Sequence, residues 1–182
     1  MNHIYLIGFM GTGKSTVGRA LAGVMGCRLL DTDEMIISRD GRDIPTIFAV
    51  DGEDYFRRIE SDVMADIAAM TEPVVVSCGG GVVLSDKNIT AMRSSGYVVW
   101  LTASAKEILR RVETDTSRPL LADKKSVEDI NSMIEARRAR YEAAADIAVD
   151  TEKNTGEIVL SLIKEGYGSR DKKMPFAFDI PS

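Results

Sequence analysis

Histidine and tryptophan each occur once in these 182 residues, cysteine twice and proline five times. The lone His3 opens the first apolar run and reads as structural or exposed, which leaves the chain no histidine base. Cys27 and Cys78 lie far apart with no C-x-x-C, a pattern of reduced thiols in a cytosolic protein. Cys27 is expected in the core and Cys78 on a strand, neither of them catalytic. No apolar stretch approaches the length of a membrane span and no charged, apolar leader precedes the first strand, so a cytoplasmic protein without membrane contact is expected. A basic excess is missing too. Lys plus Arg number 23 against 28 Asp plus Glu, a net charge of −5, whereas a nucleic-acid surface needs clustered cations. Local groups of arginines must therefore serve something else. With 45% hydrophobic and 28% charged residues and no internal repeat, the chain reads as one domain.

Glycine, by contrast, is concentrated where it has consequences. Gly8-Phe9-Met10-Gly11-Thr12-Gly13-Lys14-Ser15 fits G-x-x-x-x-G-K-S/T and follows the apolar run His3 to Ile7, so strand, loop and helix come in the order the motif requires. Glycines there let successive N–H groups face one concavity at a helix N-terminus, where the dipole favours a polyphosphate. Lys14 can reach the terminal phosphates and the Ser15 hydroxyl can coordinate Mg2+. A ligand-free glycine turn is the alternative, and the context argues against it.

Helical spacing of Val17, Ala20, Leu21 and Val24 predicts a helix from Lys14 to near Gly26, followed by a strand Arg28 to Leu30. Short helical pieces broken at Gly41 and Pro45 are expected over 38–50. A longer helix then begins at Asp51-Gly52-Glu53 and ends before Pro73. Val74 to Ser77 and Tyr97 to Leu101 are short, apolar and rich in β-branched residues, hence buried strands. Asp86 to Ser95, Ser104 to about Val112, Ser126 to Ala145 and Gly156 to Lys164 read as helices, and Asp146 to Asp150 as the last strand. Thr114 to Lys125 reads as a mobile loop and the tail from Gly166 as peripheral. Alternating strands and helices give a three-layer α/β/α domain over 1–165, with a parallel sheet of about five strands. Ligands of such a sheet gather at the carboxyl ends of its strands. The phosphate loop, Asp31-Thr32-Asp33, Gly79-Gly80-Gly81 and the turn from Thr151 to Thr155 should therefore ring one cleft.

Asp31 and Asp33, two apart at a strand end, would face different ways in an extended chain and divide metal orientation from proton acceptance. Capping of the next helix is the plain alternative for either. Arg57 with Glu60 three residues on is either a steered cation or a surface ion pair; periodicity does not choose. Arg137 falls in register with Val127, Ile130, Ile134, Tyr141 and Ala144, and a guanidinium in an apolar stripe must be paired or face a wet cleft. An arginine whose stem covers apolar surface is the other reading. The triple glycine suits an anion or close approach of a substrate. Arg118, in the polar loop, is equally a lid cation over phosphate or a solvated arginine.

Together these residues resemble the shikimate kinase family over nearly all of 1–165. Gly8 to Ser15, Asp31-Thr32-Asp33, Phe48 to Glu60 with Phe56-Arg57, Val75 to Gly81 and Arg118-Pro119-Leu120-Leu121 stand in family order and spacing. The resemblance implies a P-loop kinase fold of the nucleoside monophosphate kinase type, with a mobile lid at about 114–125 and a substrate-binding region at about 33–60. It implies transfer of the γ-phosphate of ATP to the 3-hydroxyl of shikimate with Mg2+, by a monomer. By the same resemblance Gly11, Thr12, Gly13, Lys14, Ser15, Thr16, Arg111 and Arg118 bind the nucleotide, with Arg111 against the adenine. Ser15 and Asp31 serve the metal. Asp33 holds the attacking hydroxyl, and Arg57, Arg137 and the backbone of Gly79, Gly80 and Gly81 take the substrate carboxylate. Lys14, Asp33 and Arg118 are the catalytic set. Two departures stand out: no proline lies in Arg137-Arg138-Ala139-Arg140-Tyr141 or in Thr151 to Gly156, where the family usually has one. Other readings are a gluconate or nucleoside monophosphate kinase of the same fold, and a shikimate-sensing module without turnover.

Overall fold

β1 (His3–Ile7) is buried along its whole length because helices cover both faces of the sheet, which is why its sequence shows no polar alternation. The computed structural model describes residues 3–113, 126–154 and 156–168. The expected loop of 114–125, with Arg118, and the tail beyond 168 lie outside them. β1 pairs in parallel with β3 (Val74–Ser77) and β4 (Gly96–Thr102), while β2 (Arg28–Asp31) and β5 (Ile147–Asp150) form the edges. The order is β2-β3-β1-β4-β5, all parallel.

Tyr5 and Ile7 of β1 enter one core with Val76, Val98 and Trp100, whereas Ile4 and Leu6 enter the opposite one with Val75, Val99 and Leu101. The first core is closed by α2 (Thr32–Asp40), α3 (Ile44–Ala69), α4 (Asp86–Ser95) and α6 (Val127–Ala144); the second by α1 (Lys14–Met25) and α7 (Gly156–Gly168). A third, smaller cluster joins Phe9 to α5 (Ala105–Glu113) and α6 through Ile108, Val112 and Ile130. His3 is buried inside β1 and stands edge-on to Tyr5, so the structural reading of that residue holds. Cys78 is buried just after β3, and half-buried Cys27 packs on the second core.

The helices after β2 differ from the expectation. α2 starts at Thr32, not Ser38, because Asp31 caps it at once, its Oδ1 accepting the Asp33 N–H at 3.0 Å. Gly41 closes it. Pro45 does not break a helix but begins one: Asp43 caps α3 and the missing proline N–H falls in the first turn, where no intrahelical partner exists. α3 then runs to Ala69 as two helices joined at Gly52, whose φ of 78° a side chain would resist. α7 continues to Gly168, past the expected end at Lys164. Its Tyr167 is buried against Tyr97, and Gly166 passes so close to the Tyr97 hydroxyl that no side chain fits there.

Candidate active site

β1 carries the chain to Gly8, where a side chain would collide with the Leu101 carbonyl of β4, so the phosphate loop can sit directly over the strand ends. The loop is cross-braced by Thr12, whose buried hydroxyl donates to the Phe9 carbonyl at 2.7 Å. α1 opens behind Gly13 without any side-chain cap, so its first-turn N–H groups have no side-chain acceptor. Lys14 Nζ donates to the carbonyls of Gly8 and Phe9, both at 2.9 Å, folding over the loop it belongs to. Thr16 is exposed beside it. The Ser15 hydroxyl lies 3.5 Å from that of Ser77 at the end of β3, and Ser77 is in register with Asp31 at the end of β2. Ser77 thus links Ser15 of α1 to the strand ends where Asp31 stands.

Asp33 is not two residues along an extended strand from Asp31; it is in the first turn of α2. The three residues of Asp31-Thr32-Asp33 have separate tasks. Asp31 caps the helix. Thr32, fully buried, accepts the Gly79 N–H at 2.8 Å and so ties α2 to the triple glycine. Asp33 sits against Gly79: a β-carbon there would stand 2.7 Å from Asp33 Oδ1 and 3.5 Å from Glu60 Oε1. At Gly80 a β-carbon would meet Gly8, Met10 and Arg137 at 3.6 to 4.0 Å, and at Gly81 it would stand 2.5 to 2.9 Å from the Arg57 guanidinium. The glycines clear space for the chain's own Asp33 and Arg57.

Arg57 is held from two sides on α3. Its Nη1 donates to Glu60 Oε2 at 2.9 Å and its Nη2 to Glu53 Oε1 at 3.0 Å, and its guanidinium lies over the Phe56 ring. Glu60 is only 1% exposed, so the pair is no surface ornament. Burial raises the Glu60 carboxyl above its ordinary pKa, with Arg57 opposing the shift and Asp33 adding to it. Burial works against the charge of Arg57, but Glu60 and Glu53 outweigh it and hold the guanidinium firmly protonated.

The three arginines of α6 separate cleanly. Arg138 is exposed and pairs with Glu135, with its guanidinium above Trp100. Arg140 donates to the carbonyls of Val83 and Leu84 at 2.8 and 2.9 Å and pairs with Asp86, closing the 3-10 turn Val82–Leu84 and the start of α4. Arg137 points to the triple glycine, its Nη1 donating to the Gly80 carbonyl at 3.3 Å and its guanidinium standing over Phe9. Among the described residues no carboxylate pairs with Arg137, in contrast to Arg57. The Tyr141 hydroxyl donates to that same Gly80 carbonyl at 2.6 Å, a contact its place in an apolar stripe gave no hint of.

On the other side of the loop, Arg111 of α5 donates to Glu107, to the Gly11 carbonyl at 3.3 Å, and to the hydroxyl and carbonyl of Thr151 at 3.0 Å. Thr151 in turn lies 3.0 Å from the Thr12 carbonyl, so the turn after β5 is bound to the phosphate loop. Glu107, shared by Arg110 and Arg111, is held down to a pKa of about 2 by those hydrogen bonds. A cavity of about 590 Å³ lies beyond this turn, between Trp100, Ile108, Ile134, Ala148 and Lys153. Phe9 and Tyr141 also line it, whereas Asp33, Arg57 and Arg137 do not. Among the described residues no three His, Cys, Asp or Glu side chains form a metal cage. The oxygen donors Ser15 and Asp31 fit a magnesium ion carried mainly by phosphates, which needs only one or two protein oxygens.

Comparison with known proteins gives concordant results. The family model described as shikimate kinase matches residues 10–166. A curated shikimate kinase of Geobacter metallireducens is 42% identical over 168 residues, covering 92% of this chain and 91% of its own. One of Moorella thermoacetica is 42% identical over 163 residues, covering 90% of this chain and 92% of its own. The solved shikimate kinase of Acinetobacter baumannii in complex with shikimate superposes with a TM-score of 0.84 at 31% identity, over 95% of this chain and 96% of that one.

Proposed function

The chain belongs to the shikimate kinase family, and we propose how its residues share the transfer of the γ-phosphate of ATP to the 3-hydroxyl of shikimate. The products are ADP and shikimate 3-phosphate. The observation that carries the division of labour is the meeting of Asp33, Arg57 and Arg137 on three successive glycines that also touch the phosphate loop.

The β- and γ-phosphates lie in the loop of Gly11, Thr12 and Gly13 and over the N-terminus of α1, with Thr16 next to the α-phosphate. Lys14 exchanges the Gly8 and Phe9 carbonyls for phosphate oxygens and follows the transferring group. Arg111, fixed in its plane by four acceptors, offers its face to the adenine. Ser15 and Asp31 would hold Mg2+, which would supply positive charge to offset that of the phosphates. Asp33 accepts the proton of the 3-hydroxyl as its oxygen forms the new O–P bond and the bond from the γ-phosphorus to the bridging oxygen breaks. Arg57, Arg137 and the backbone N–H groups of Gly80 and Gly81 grip the substrate carboxylate, Gly79 shaping the turn while its own N–H is held by Thr32, and the two arginines do so differently. Arg57 is neutralised and oriented by Glu60 and Glu53, whereas no carboxylate of the described residues pairs with Arg137. Arg118, in the lid of 114–125, adds a cation to the transferring phosphoryl group. The working form is a monomeric cytoplasmic enzyme of one domain, without nucleic acid or membrane partners.

Release of ADP from ATP and Mg2+ tests the reading with shikimate, gluconate and AMP as acceptors. Turnover is expected with shikimate alone, and Asp33→Ala is expected to lower kcat at least 100-fold with little change in nucleotide affinity. A folded protein that releases no shikimate-dependent ADP refutes it.

A further inference from the structure

Two donors meet on one oxygen at the centre of the site. Tyr141 Oη reaches the Gly80 carbonyl at 2.6 Å and Arg137 Nη1 reaches it at 3.3 Å, one turn earlier on α6. The first is a short O–H···O bond and the second a long N–H···O bond, so the tyrosine is the primary partner. Nothing steric fixes this carbonyl, since residues 79, 80 and 81 all lack a β-carbon. The neighbouring groups are already engaged: Thr32 takes the Gly79 N–H, and the Val82 and Leu84 N–H groups take the Gly79 and Gly81 carbonyls. The Tyr141 ring has no freedom of its own. It is wholly buried and stacked on Trp100 with centroids 5.6 Å apart and planes inclined by 13°.

We infer that Tyr141 is a positioning residue for substrate capture: its hydroxyl holds the Gly80 carbonyl so that Arg137 can leave it for the carboxylate of shikimate. The inference rests on the reading of Arg137 as a carboxylate grip. When the guanidinium moves away, the carbonyl keeps its stronger bond, and no buried acceptor is stranded. Without the hydroxyl, Arg137 is the remaining donor to that oxygen, and the substrate must compete with the protein for it. Burial raises the pKa of the phenol, opposed by the charge of Arg137 and by its hydrogen bond to the hydroxyl.

Tyr141→Phe removes one hydroxyl and leaves the ring and its stack, which the emission of Trp100, the one tryptophan, reports directly. The KM and calorimetric Kd for shikimate should rise about three- to tenfold, the net worth of one neutral hydrogen bond, with kcat and the KM for ATP within about twofold. In the Arg137→Ala background the same change should add no further loss of shikimate affinity, because no guanidinium remains to be retained. An unchanged shikimate KM in folded Tyr141→Phe, even with a lowered Tm, assigns the hydroxyl to packing and overturns the inference. So do losses that simply add in the double variant. Unchanged affinity in Arg137→Ala alone removes the carboxylate grip, and this inference with it, a result distinct from the other two.

Discussion

Arg57→Ala should injure the protein through the residue it leaves behind. Glu60 is 1% exposed, and its partner guanidinium at 2.9 Å is the group that opposes a burial-raised pKa. Removing one member of a buried pair costs about 3 to 5 kcal/mol, and because the Arg57 side chain is itself 23% exposed the lower end applies, about 3 kcal/mol. For a domain of this size that is a fall in Tm of roughly 6 to 12 °C. The loss should depend on pH with a definite sign. Glu60 is faced by Arg57, Asp33 and Glu53; without the arginine, only like charges remain and its folded pKa climbs further above the unfolded value. Between those two values the folded state holds a proton that the unfolded state has released, so stability falls as pH rises. Arg57→Ala should therefore lie closer to wild type in urea titrations at pH 5 than at pH 8, and Glu60→Gln should restore stability to Arg57→Ala at pH 8. A loss independent of pH, or a double variant no more stable than the single one, refutes the assignment of Glu60 as a buried charge held by Arg57.

The α6 arginines should part by assay. Arg137→Ala should raise the shikimate KM about 10- to 150-fold, the loss of a charge-assisted contact worth about 1.5 to 3 kcal/mol, with Tm nearly unchanged. Arg140→Ala, which frees the Val83 and Leu84 carbonyls, should lower Tm and leave the shikimate KM within about twofold of wild type. His3 makes a second pH test. Burial lowers its pKa below the ordinary 6.5, so at mildly acid pH the unfolded chain binds a proton that the folded one refuses. Stability should fall as pH drops below 6.5, and His3→Phe should flatten that slope in denaturant titrations between pH 5 and 7.

The strands were legible because Val74 to Ser77 and Tyr97 to Leu101 are too short and too β-branched for anything but a covered parallel sheet. The helix boundaries after β2 were not. Asp31, Asp43 and Pro45 are each compatible with a loop, and only their capping bonds to Asp33 and Thr46 make them helix starts. The phosphate loop was legible for a similar reason as the strands: its function is local, made of consecutive backbone groups and the side chains next to them. Glu60 was visible as a partner of Arg57 through their spacing of three, yet its depth of burial was not.

The sequence by itself determined the donor side, the order of the strands and helices along the chain, and the set of residues that could face an acceptor. Helical periodicity puts Arg137 on a face, but it does not say what lies across from that face. The Gly80 carbonyl, which Arg137 reaches while Arg138 pairs with Glu135 and Arg140 with Asp86, is 57 residues away along the chain. The space that Gly79 and Gly81 leave is filled by Asp33 and Arg57, from two other elements. Close approach between distant segments carries no local signature, because glycine is compatible equally with a turn, an anion nest and a neighbour's side chain. Only the packing of α2, α3 and α6 around the end of β3 brings Asp33, Arg57 and Arg137 to these glycines.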